Sequence, residues 1–398
     1  MDKKKILYLT TRLPFPTIGG DKLRMFNILK QLKKQGHKIT LVSLVTTDDD
    51  LEACYKNNEF FDELIPVNFD KKLAYLNAVK AVFNDKPFIV EYFYSKAMQK
   101  VVDRLIKENN FDIITGYMIR IAPYLEKHKD KNIIIDFVDA VSMMYERRIK
   151  NVQSIWDKFK IGIEYLKVKN YEKKCTKIFK MQTVISQTDK DFIEQFAKKS
   201  NIKIIGNGVD TEYYKPIDFP KENNICFVGS MQYIPNSEAA IYFATKIFPL
   251  IKKEIPNAKF KIIGANPRKD LFDAVKGIDN IEITGKVEDV REYMKDCKVS
   301  VCPVKIAGGI QNKILEAMSM GIPVITTPEG AEGIDENESI LYIANTNEEY
   351  SKKTIILLEN QSRTNEKINN GRNFVIKNFS WDKVGIDYNN LIKEELNA

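Results

Sequence analysis

The chain is poor in the residues from which many catalytic centres are built. It has only two histidines, His37 and His128, and its five cysteines are scattered without a CxxC pair. A structural or catalytic zinc ion needs closely spaced Cys and His ligands, so we do not expect a metal site of that kind. The odd number of cysteines predicts free thiols in a reducing compartment.

Several sequence motifs for nucleotide and hydrolytic chemistry are also missing. Neither GxGxxG nor GxxxxGK[ST] occurs, which argues against an NAD-dependent enzyme and against a P-loop NTPase. GxSxG is absent as well, and no serine can be paired with a histidine for a catalytic triad. The sequence therefore predicts chemistry that needs neither a redox cofactor nor a serine nucleophile.

Long hydrophobic runs are absent too. No stretch reaches the roughly 18 apolar residues that span a bilayer, and the first apolar run, Ile6–Leu9, is too short for a signal peptide. We therefore expect a cytoplasmic protein.

The charge is unevenly distributed along the chain. Residues 1–206 contain 38 Lys and Arg against 26 Asp and Glu, a net charge of +12, whereas the rest contains 24 against 28, or −4. This excess predicts that the first half meets an anionic surface or substrate, unless it is only a solvated, lysine-rich surface. We expect no nucleic-acid partner.

The order of the apolar segments predicts an α/β protein. It opens with strand Lys5–Thr10, helix Asp21–Lys34 and strand Lys38–Val45, a βαβ unit that begins a doubly wound parallel sheet. The alternation starts again at strand Ile225–Gly229. The predicted organisation consists of an N-terminal Rossmann-like domain (1–206), a linker (207–224), a C-terminal Rossmann-like domain (225–378) and a final helix (379–398).

One predicted helical stretch is unusually basic. Residues 147–180 hold 11 Lys and Arg and three acidic residues, and Ile155, Phe159, Ile163 and Leu166 recur at helical spacing. A basic amphipathic helix can lie on an anionic membrane. The alternative is a surface helix that packs its apolar face on its own domain.

The most informative segment is 304–325, where a strand end, a glycine loop, a helix, a turn and a buried strand follow each other. The Gly308–Gly309 loop lets the backbone approach a ligand closely. The helix that starts near Ile310 offers unpaired N–H groups and a partial positive charge, which suit a phosphate. Lys313 and Glu316 lie three residues apart on one helix face. This arrangement predicts a sugar-nucleotide site, with N–H groups and the lysine on the diphosphate and the carboxylate on ribose hydroxyls.

Other candidate residues follow predicted strands. Gly229 and Ser230 come after the first strand of the second domain, where a glycine lets a ligand approach the sheet edge, although this can equally be an ordinary loop. Gly19 and Gly20 precede the first helix and can also form a simple tight turn. Asp139 follows a strand of the first domain and is a candidate acceptor base, unless it only caps the next helix.

Together these segments resemble the family 4 glycosyltransferases, whose GT-B fold has two facing Rossmann-like domains. The resemblance covers nearly the whole chain and rests on the segments Gly19–Gly20, Asn207–Pro216, Phe227–Ser230, Ile283–Val287 and, most specifically, Asn312–Ile325. It is nearest to a bacterial branch with a Gly-Ile-Gln-Asn-Lys loop, associated with exopolysaccharide and envelope glycan synthesis. The family's final helix crosses back to the first domain.

The resemblance implies a retaining, metal-independent hexosyltransferase. Such an enzyme moves a sugar from a nucleotide diphosphate, most often UDP, to a hydroxyl of a glycan or lipid-linked glycan, and it needs no cofactor besides this donor. The donor loop would comprise Gly308, Gly309, Ile310, Gln311 and Asn312. Peripheral attachment to the inner face of the plasma membrane is a further expectation.

The chain departs from the family pattern at one carboxylate. The family usually carries two glutamates eight positions apart, and Glu316 matches the second whereas the first falls on Gly308. That first carboxylate normally contacts the transferred sugar.

A second departure concerns basic residues. The family usually places an arginine and a lysine soon after the glycine of Phe227–Ser230, where this chain has no basic residue before Lys246. Lys305 and Lys313 can take over the diphosphate, and Arg12 and Arg24 of the first domain are further possible contacts.

Two alternative functions remain open from the sequence. A nucleotide-sugar epimerase shares the two-domain architecture. A catalytically silent sugar-nucleotide-binding protein is the other alternative, motivated by Gly308 in place of the family's glutamate.

Overall fold

The computed structural model describes residues 3–17, 19–152, 154–198, 200–305, 310–335, 338–359 and 365–397. The chain divides into two compact units: an N-terminal unit of residues 1–208 and 384–398, and a C-terminal unit of residues 209–383. The sequence prediction ends the first domain at 206 and treats 207–224 as a linker, whereas the two units meet between Gly208 and Val209.

The described residues of the N-terminal unit form a sheet of seven parallel strands. These are β1 (Lys5–Thr10), β2 (Lys38–Val45), β3 (Glu63–Asn68), β4 (Ile113–Tyr117), β5 (Ile133–Val138), β6 (Met181–Val184) and β7 (Ile202–Ile204). They lie in the order β3-β2-β1-β4-β5-β6-β7. The central strands are nearly continuous apolar runs because helices cover both faces of a parallel sheet.

Helices connect these strands. They are α1 (Gly20–Lys34), α2 (Asp48–Lys56), α3 (Lys71–Lys80), α4 (Phe88–Tyr92), α5 (Lys96–Glu108), α6 (Ala122–Leu125), α7 (Val141–Asn151), α8 (Ile155–Ile178) and α9 (Gln187–Glu194). The predicted basic stretch is thus two helices. The second begins after Ser154, whose hydroxyl accepts a hydrogen bond from the Asp157 N–H at 3.3 Å and caps α8.

The described residues of the C-terminal unit form a sheet of six parallel strands in the order β10-β9-β8-β11-β12-β13. The strands are β8 (Glu222–Val228), β9 (Lys259–Ile263), β10 (Ile281–Gly285), β11 (Cys297–Cys302), β12 (Val324–Thr326) and β13 (Tyr342–Ile343). The helices are α10 (Ile234–Tyr242), α11 (Phe248–Glu254), α12 (Lys269–Val275), α13 (Val290–Met294), α14 (Asn312–Ser319), α15 (Pro328–Ala331), α16 (Asn347–Glu359) and α17 (Asn365–Phe379), followed by α18 (Trp381–Asn397). Two parallel α/β sheets of Rossmann type confirm the predicted fold class.

The sequence of Ser237–Ile255 predicts one continuous helix, but the structure interrupts it. A π-helical turn at Phe243–Ile247 separates α10 from α11, which carries Pro249 in its first turn. Proline has no backbone N–H and disfavours a helical residue before it, so the ladder of hydrogen bonds is reset at this point.

The C-terminal part of α18 packs within the N-terminal unit. A Cβ added to Gly385 would lie 2.7 Å from Cβ of Gln31, so the two helices are in close contact there. Nε2 of His37 is 3.1 Å from Oδ1 of Asn389, and the Glu395 carboxylate accepts a hydrogen bond from the Ile133 N–H at 3.2 Å.

Both sheets reverse their strand order beside their first strand. The reversal lies between β1 and β4 in the N-terminal unit and between β8 and β11 in the C-terminal unit. In doubly wound sheets, ligands bind at the carboxyl ends of the strands at such a switch point. Each unit therefore has one such edge, and most of the predicted site residues that the structure describes lie along these two edges.

Candidate functional site

Helix α14 begins at the switch point of the C-terminal sheet, soon after β11. Its apolar side, which includes Ile314, Leu315 and Met318, is buried against the core. Gln311 precedes the helix without a side-chain cap, so the first N–H groups of α14 have no partner within the helix. Burial of one side fixes the helix and leaves its N-terminus and polar side available to a ligand. The preceding Gly308 and Gly309 lie outside the described residues.

Lys313 is held at this helix start by neutral oxygen atoms. Its Nζ donates hydrogen bonds to Oδ1 of Asn236 at 2.9 Å and to Oε1 of Gln311 at 3.2 Å, and it lies 5.4 Å from the centroid of the Phe227 ring. Among the described residues it forms no ion pair with a carboxylate. The lysine is therefore positioned while its charge remains unneutralised, as an anion-binding lysine should be.

The loop after β8 explains how Asn236 reaches this position. A Cβ on Gly229 would lie 2.6 Å from Nδ2 of Asn236, and a Cβ on Gly264 would lie only 1.8 Å from the Gly229 carbonyl oxygen. Nδ2 of Asn236 donates to the Ser230 carbonyl oxygen at 3.0 Å. Gly229 is thus required because Asn236 fills the adjacent space, and Asn236 in turn orients Lys313.

Glu316 is a partly buried carboxyl one helical turn after Lys313. Burial raises its pKa to about 7, although the positive charge of Lys313 opposes the shift. The carboxyl has no hydrogen-bond partner among the described residues, and Tyr214 is close enough for the two groups to interact electrostatically. An unpartnered, partly buried carboxyl can accept hydrogen bonds from ligand hydroxyl groups.

The remaining predicted donor residues of this unit lie around the same edge. Ser230 is exposed in the loop after β8, and Ile310 packs on the segment at Gly333, where an added Cβ would lie 3.3 Å from the Ile310 side chain. Lys305 is exposed, with Nζ 3.9 Å from the centroid of the Tyr242 ring. Asn312 is the exposed first residue of α14.

In the N-terminal unit, Gly19 and Gly20 begin α1 at the other switch point. Gly19 has a φ of 99°, which favours glycine, and it provides no side-chain cap for the helix. Nη1 of the half-exposed Arg12 lies 3.2 Å from Oδ2 of Asp21 in the first turn of α1. Gly20 has open space where a Cβ would be.

Arg24 is a structural residue and not the diphosphate contact suggested by the sequence. It is fully buried, and all five of its N–H donors are used: by Asp136, by the carbonyl oxygens of Ile205 and Gly206, and by Asn207. Its Nη2 lies 3.1 Å from Oδ2 of Asp136, a buried ion pair. Helical spacing cannot distinguish such an inward arginine from one that faces a ligand.

Asp139 lies at the carboxyl end of β5 and does not cap α7. Ala140 is the residue before that helix, and its N–H donates to Oδ1 of Asp189 at 2.9 Å. Asp139 is exposed to solvent at one side, while burial and the nearby Asp189 carboxylate raise its pKa to about 6. The preceding Val138 has a φ of 69°, an uncommon conformation for a β-branched residue and one often found at functional sites.

Sequence reasoning missed Asn236, the residue that orients Lys313. It is the third residue of α10, and no spacing rule connects it with a lysine 77 positions later. The described residues contain no group of three His, Cys, Asp or Glu side chains suited to a metal ion.

Comparisons with known proteins agree with this geometry. Residues 222–360 match the family model described as Glycosyl transferases group 1. This range contains Gly229, which follows β8, and α14, which carries Lys313 and Glu316. A protein of Klebsiella pneumoniae, described as an uncharacterised 44.6 kDa protein in the cps region, is 23% identical over 98% of this chain and 99% of its own length.

Solved structures have the same fold over almost the full chain. A glycosyltransferase from Rickettsia africae is 18% identical and superposes with a TM-score of 0.67, covering 100% of this chain and 99% of its own. Anabaena HepE, solved in complex with UDP and glucose, is 13% identical with a TM-score of 0.64, covering 98% and 100%. The chain therefore has the GT-B fold of glycosyltransferases, and the family match supports glycosyltransferase activity.

Proposed function

We propose that the protein is a retaining, metal-independent glycosyltransferase that moves a hexose from a UDP-sugar to a hydroxyl of a glycan or lipid-linked glycan. The observation that carries this proposal is the position of Lys313: it lies at the uncapped start of α14, bound only to neutral oxygens, with Glu316 on the same helix. UDP is favoured as the donor nucleotide because HepE was solved with it.

The leaving diphosphate gains negative charge as the glycosidic bond to it breaks. The N–H groups at the start of α14 and the ammonium group of Lys313 are fixed before the reaction, so they stabilise this charge without reorganisation. Lys305 is a second, exposed cation near the end of β11. Cationic groups and helix dipoles can neutralise a diphosphate in place of a metal ion.

Glu316 is assigned to the ribose hydroxyls and Asp139 to the acceptor proton. A group with a pKa of about 6 is mostly ionised at pH 7 and can accept a proton. A role in cell-surface polysaccharide or glycolipid synthesis is supported by the Klebsiella relative, which is a protein of the cps region.

The experiment that tests this function measures UDP release and sugar transfer from a panel of UDP-sugars, with and without glycan and lipid-phosphate acceptors. We expect UDP release that depends on an acceptor. Interconversion of two nucleotide sugars without any acceptor would identify an epimerase. Binding without turnover across the panel would identify a silent binding protein.

We also propose that the N-terminal unit docks on an anionic membrane surface. The residues predicted to form an apolar stripe on α8 do not enter the core: Ile155 is 77% exposed and Phe159 is 64% exposed. Trp156, beside them, is 74% exposed, and Phe83, after α3, is 87% exposed.

The exposed apolar residues at the start of α8 and Phe83 after α3 lie on neighbouring parts of the chain. Nζ of Lys167 on α8 donates to the Asn84 carbonyl oxygen at 2.7 Å, and Glu164 accepts from the Phe88 N–H at 2.9 Å. Exposed lysines flank both segments, including Lys80 and Lys158. Large apolar side chains surrounded by lysines fit the interface of an anionic bilayer. None of the described helices is long and apolar enough to span it.

Trp156 provides the readout for this surface. Because the other tryptophan, Trp381, is only 7% exposed, we expect a blue shift of fluorescence on adding vesicles with anionic lipid to come from Trp156, and to weaken steeply with salt. Phe83→Ser with Phe159→Ser should lower vesicle affinity by roughly tenfold or more, since burial of one such side chain stabilises by about 1.5–3 kcal/mol. Phe272→Ser, at an exposed position of the C-terminal unit, is the control. Equal binding by both variants would refute the membrane surface.

A further inference from the structure

The N-terminal unit buries an arginine that pairs with none of the described carboxylates. Arg120 follows β4 and is only 7% exposed. Its guanidinium donates to the thioether sulfur of Met118 and stacks on Phe93, with Cζ 4.5 Å from the ring centroid. Among the described residues it forms no ion pair, which contrasts with the fully paired Arg24.

Such an arrangement is costly for the protein alone. Removing a charged group from water is unfavourable unless charges and hydrogen bonds compensate, and a thioether sulfur is a weak acceptor. Burial lowers the pKa of Arg120 to about 10, which shows the same penalty while leaving the group charged at pH 7. The adjacent Met118 has a φ of 67°, so the backbone at this position is strained as well.

Arg120 follows β4, whose carboxyl end lies at the switch point of the sheet and contacts the first turn of α1. Arg12 and Asp21 are its principal charged neighbours, and Asp21 is already paired with Arg12. The hydroxyl of Tyr117, at the end of β4, donates to the Asp21 carbonyl oxygen at 2.8 Å, which ties the end of β4 to the first turn of α1. The site thus combines two arginines, one neutralised aspartate and the N-terminus of a 15-residue helix without a side-chain cap.

We propose that Arg120, with Arg12 and the N-terminus of α1, forms a phosphate-binding site of the N-terminal unit. An arginine offers paired N–H donors that match phosphate oxygens, and the helix start adds N–H groups and positive potential. The ligand supplies the missing counter-charge of Arg120. This inference rests on the proposed function for the source of the phosphate, which is either the acceptor or the donor diphosphate.

The test compares the wild type with Arg120→Met and, as a matched control, Arg104→Met. Arg104 is an exposed arginine of α5 in the same unit. Inorganic phosphate and UDP are titrated calorimetrically at constant ionic strength, and Tm is measured without ligand. We expect Arg120→Met to bind phosphate at least about tenfold more weakly, since a hydrogen bond to a charged group is lost, and to show a Tm that is higher by a few degrees because an uncompensated charge is removed. Arg104→Met should leave both quantities unchanged.

The UDP titration distinguishes the two sources. If UDP affinity is unchanged in Arg120→Met, the site serves a phosphate of the acceptor; if it falls in parallel with phosphate affinity, the site serves the donor. A lower Tm with unchanged phosphate affinity, or a wild type that does not bind phosphate saturably, overturns the proposal. The proposed function is tested independently, because UDP release and sugar transfer measure it, whereas phosphate affinity and Tm measure this site.

Arg120→Lys keeps the test decisive if Arg120→Met does not fold. It retains the charge but loses the planar fork, so phosphate binding should weaken by about tenfold. Wild-type phosphate affinity in Arg120→Lys overturns the proposal.

Discussion

Lys313→Met is expected to lower kcat for sugar transfer from the UDP-sugar by about 10²–10³, because it removes one preorganised donor aimed at the leaving diphosphate. The methionine keeps the apolar stem of the lysine beside Phe227. Gln311 is partly exposed, so water can replace the lost donor there, whereas the buried Asn236 loses the donor to its Oδ1. We therefore expect a modest loss of Tm beside the large loss of kcat.

Lys246→Met is the matched control for this substitution. Lys246 is an exposed lysine of the same unit, in the π-helical turn, so the variant has the same net charge as Lys313→Met. We expect near wild-type turnover from it. Equal loss in both variants, or full activity in Lys313→Met, would contradict the role given to Lys313.

Glu316→Gln is expected to stabilise the ligand-free protein, and increasingly so as the pH rises. The pKa of Glu316 is raised to about 7 by burial, so the folded protein holds this proton more tightly than the unfolded chain. The stability associated with that proton is fully present below the ordinary glutamate pKa and is lost as the pH rises through about 7. At pH 8 the ionised carboxyl costs about 3 kcal/mol at most, since each pKa unit corresponds to about 1.4 kcal/mol.

Thermal unfolding at pH 5 and pH 8 measures this effect. The difference in Tm between Glu316→Gln and wild type should be larger at pH 8 than at pH 5. Glu359→Gln, an exposed glutamate at the end of α16, should show no such difference. A Tm gain that does not depend on pH would mean that Glu316 is not the titrating group.

Much of the fold could be predicted from the sequence because its strands are short apolar runs between turn residues. The predicted bounds of β1 and β2 agree with the observed ones. The interruption around Phe243–Ile247 was missed because the apolar pattern continues through it, although Pro249 is a signal for a helix break. The apolar residues of α8 illustrate another limit: periodicity predicts an apolar face but not what covers it.

The candidate site could be predicted only where its residues are close together in the sequence. The helix start, Lys313 and Glu316 follow each other within a few residues, so their common location is a local property. Asn236 and Arg120 depend on the arrangement of loops that are distant in sequence. Arg24 was wrongly predicted to contact a ligand for the same reason: its partners Asp136 and Asn207 are more than 100 residues away in sequence.

The central claim is that α14 carries the nucleotide-sugar site. The most direct measurement is a calorimetric titration of UDP into the wild-type protein and into Glu316→Gln. We predict that UDP binds the wild type and binds the variant roughly tenfold more weakly, because a carboxylate that accepts hydrogen bonds from ribose hydroxyls is lost. Wild-type UDP affinity in Glu316→Gln, or no binding of UDP to either protein, would contradict this account.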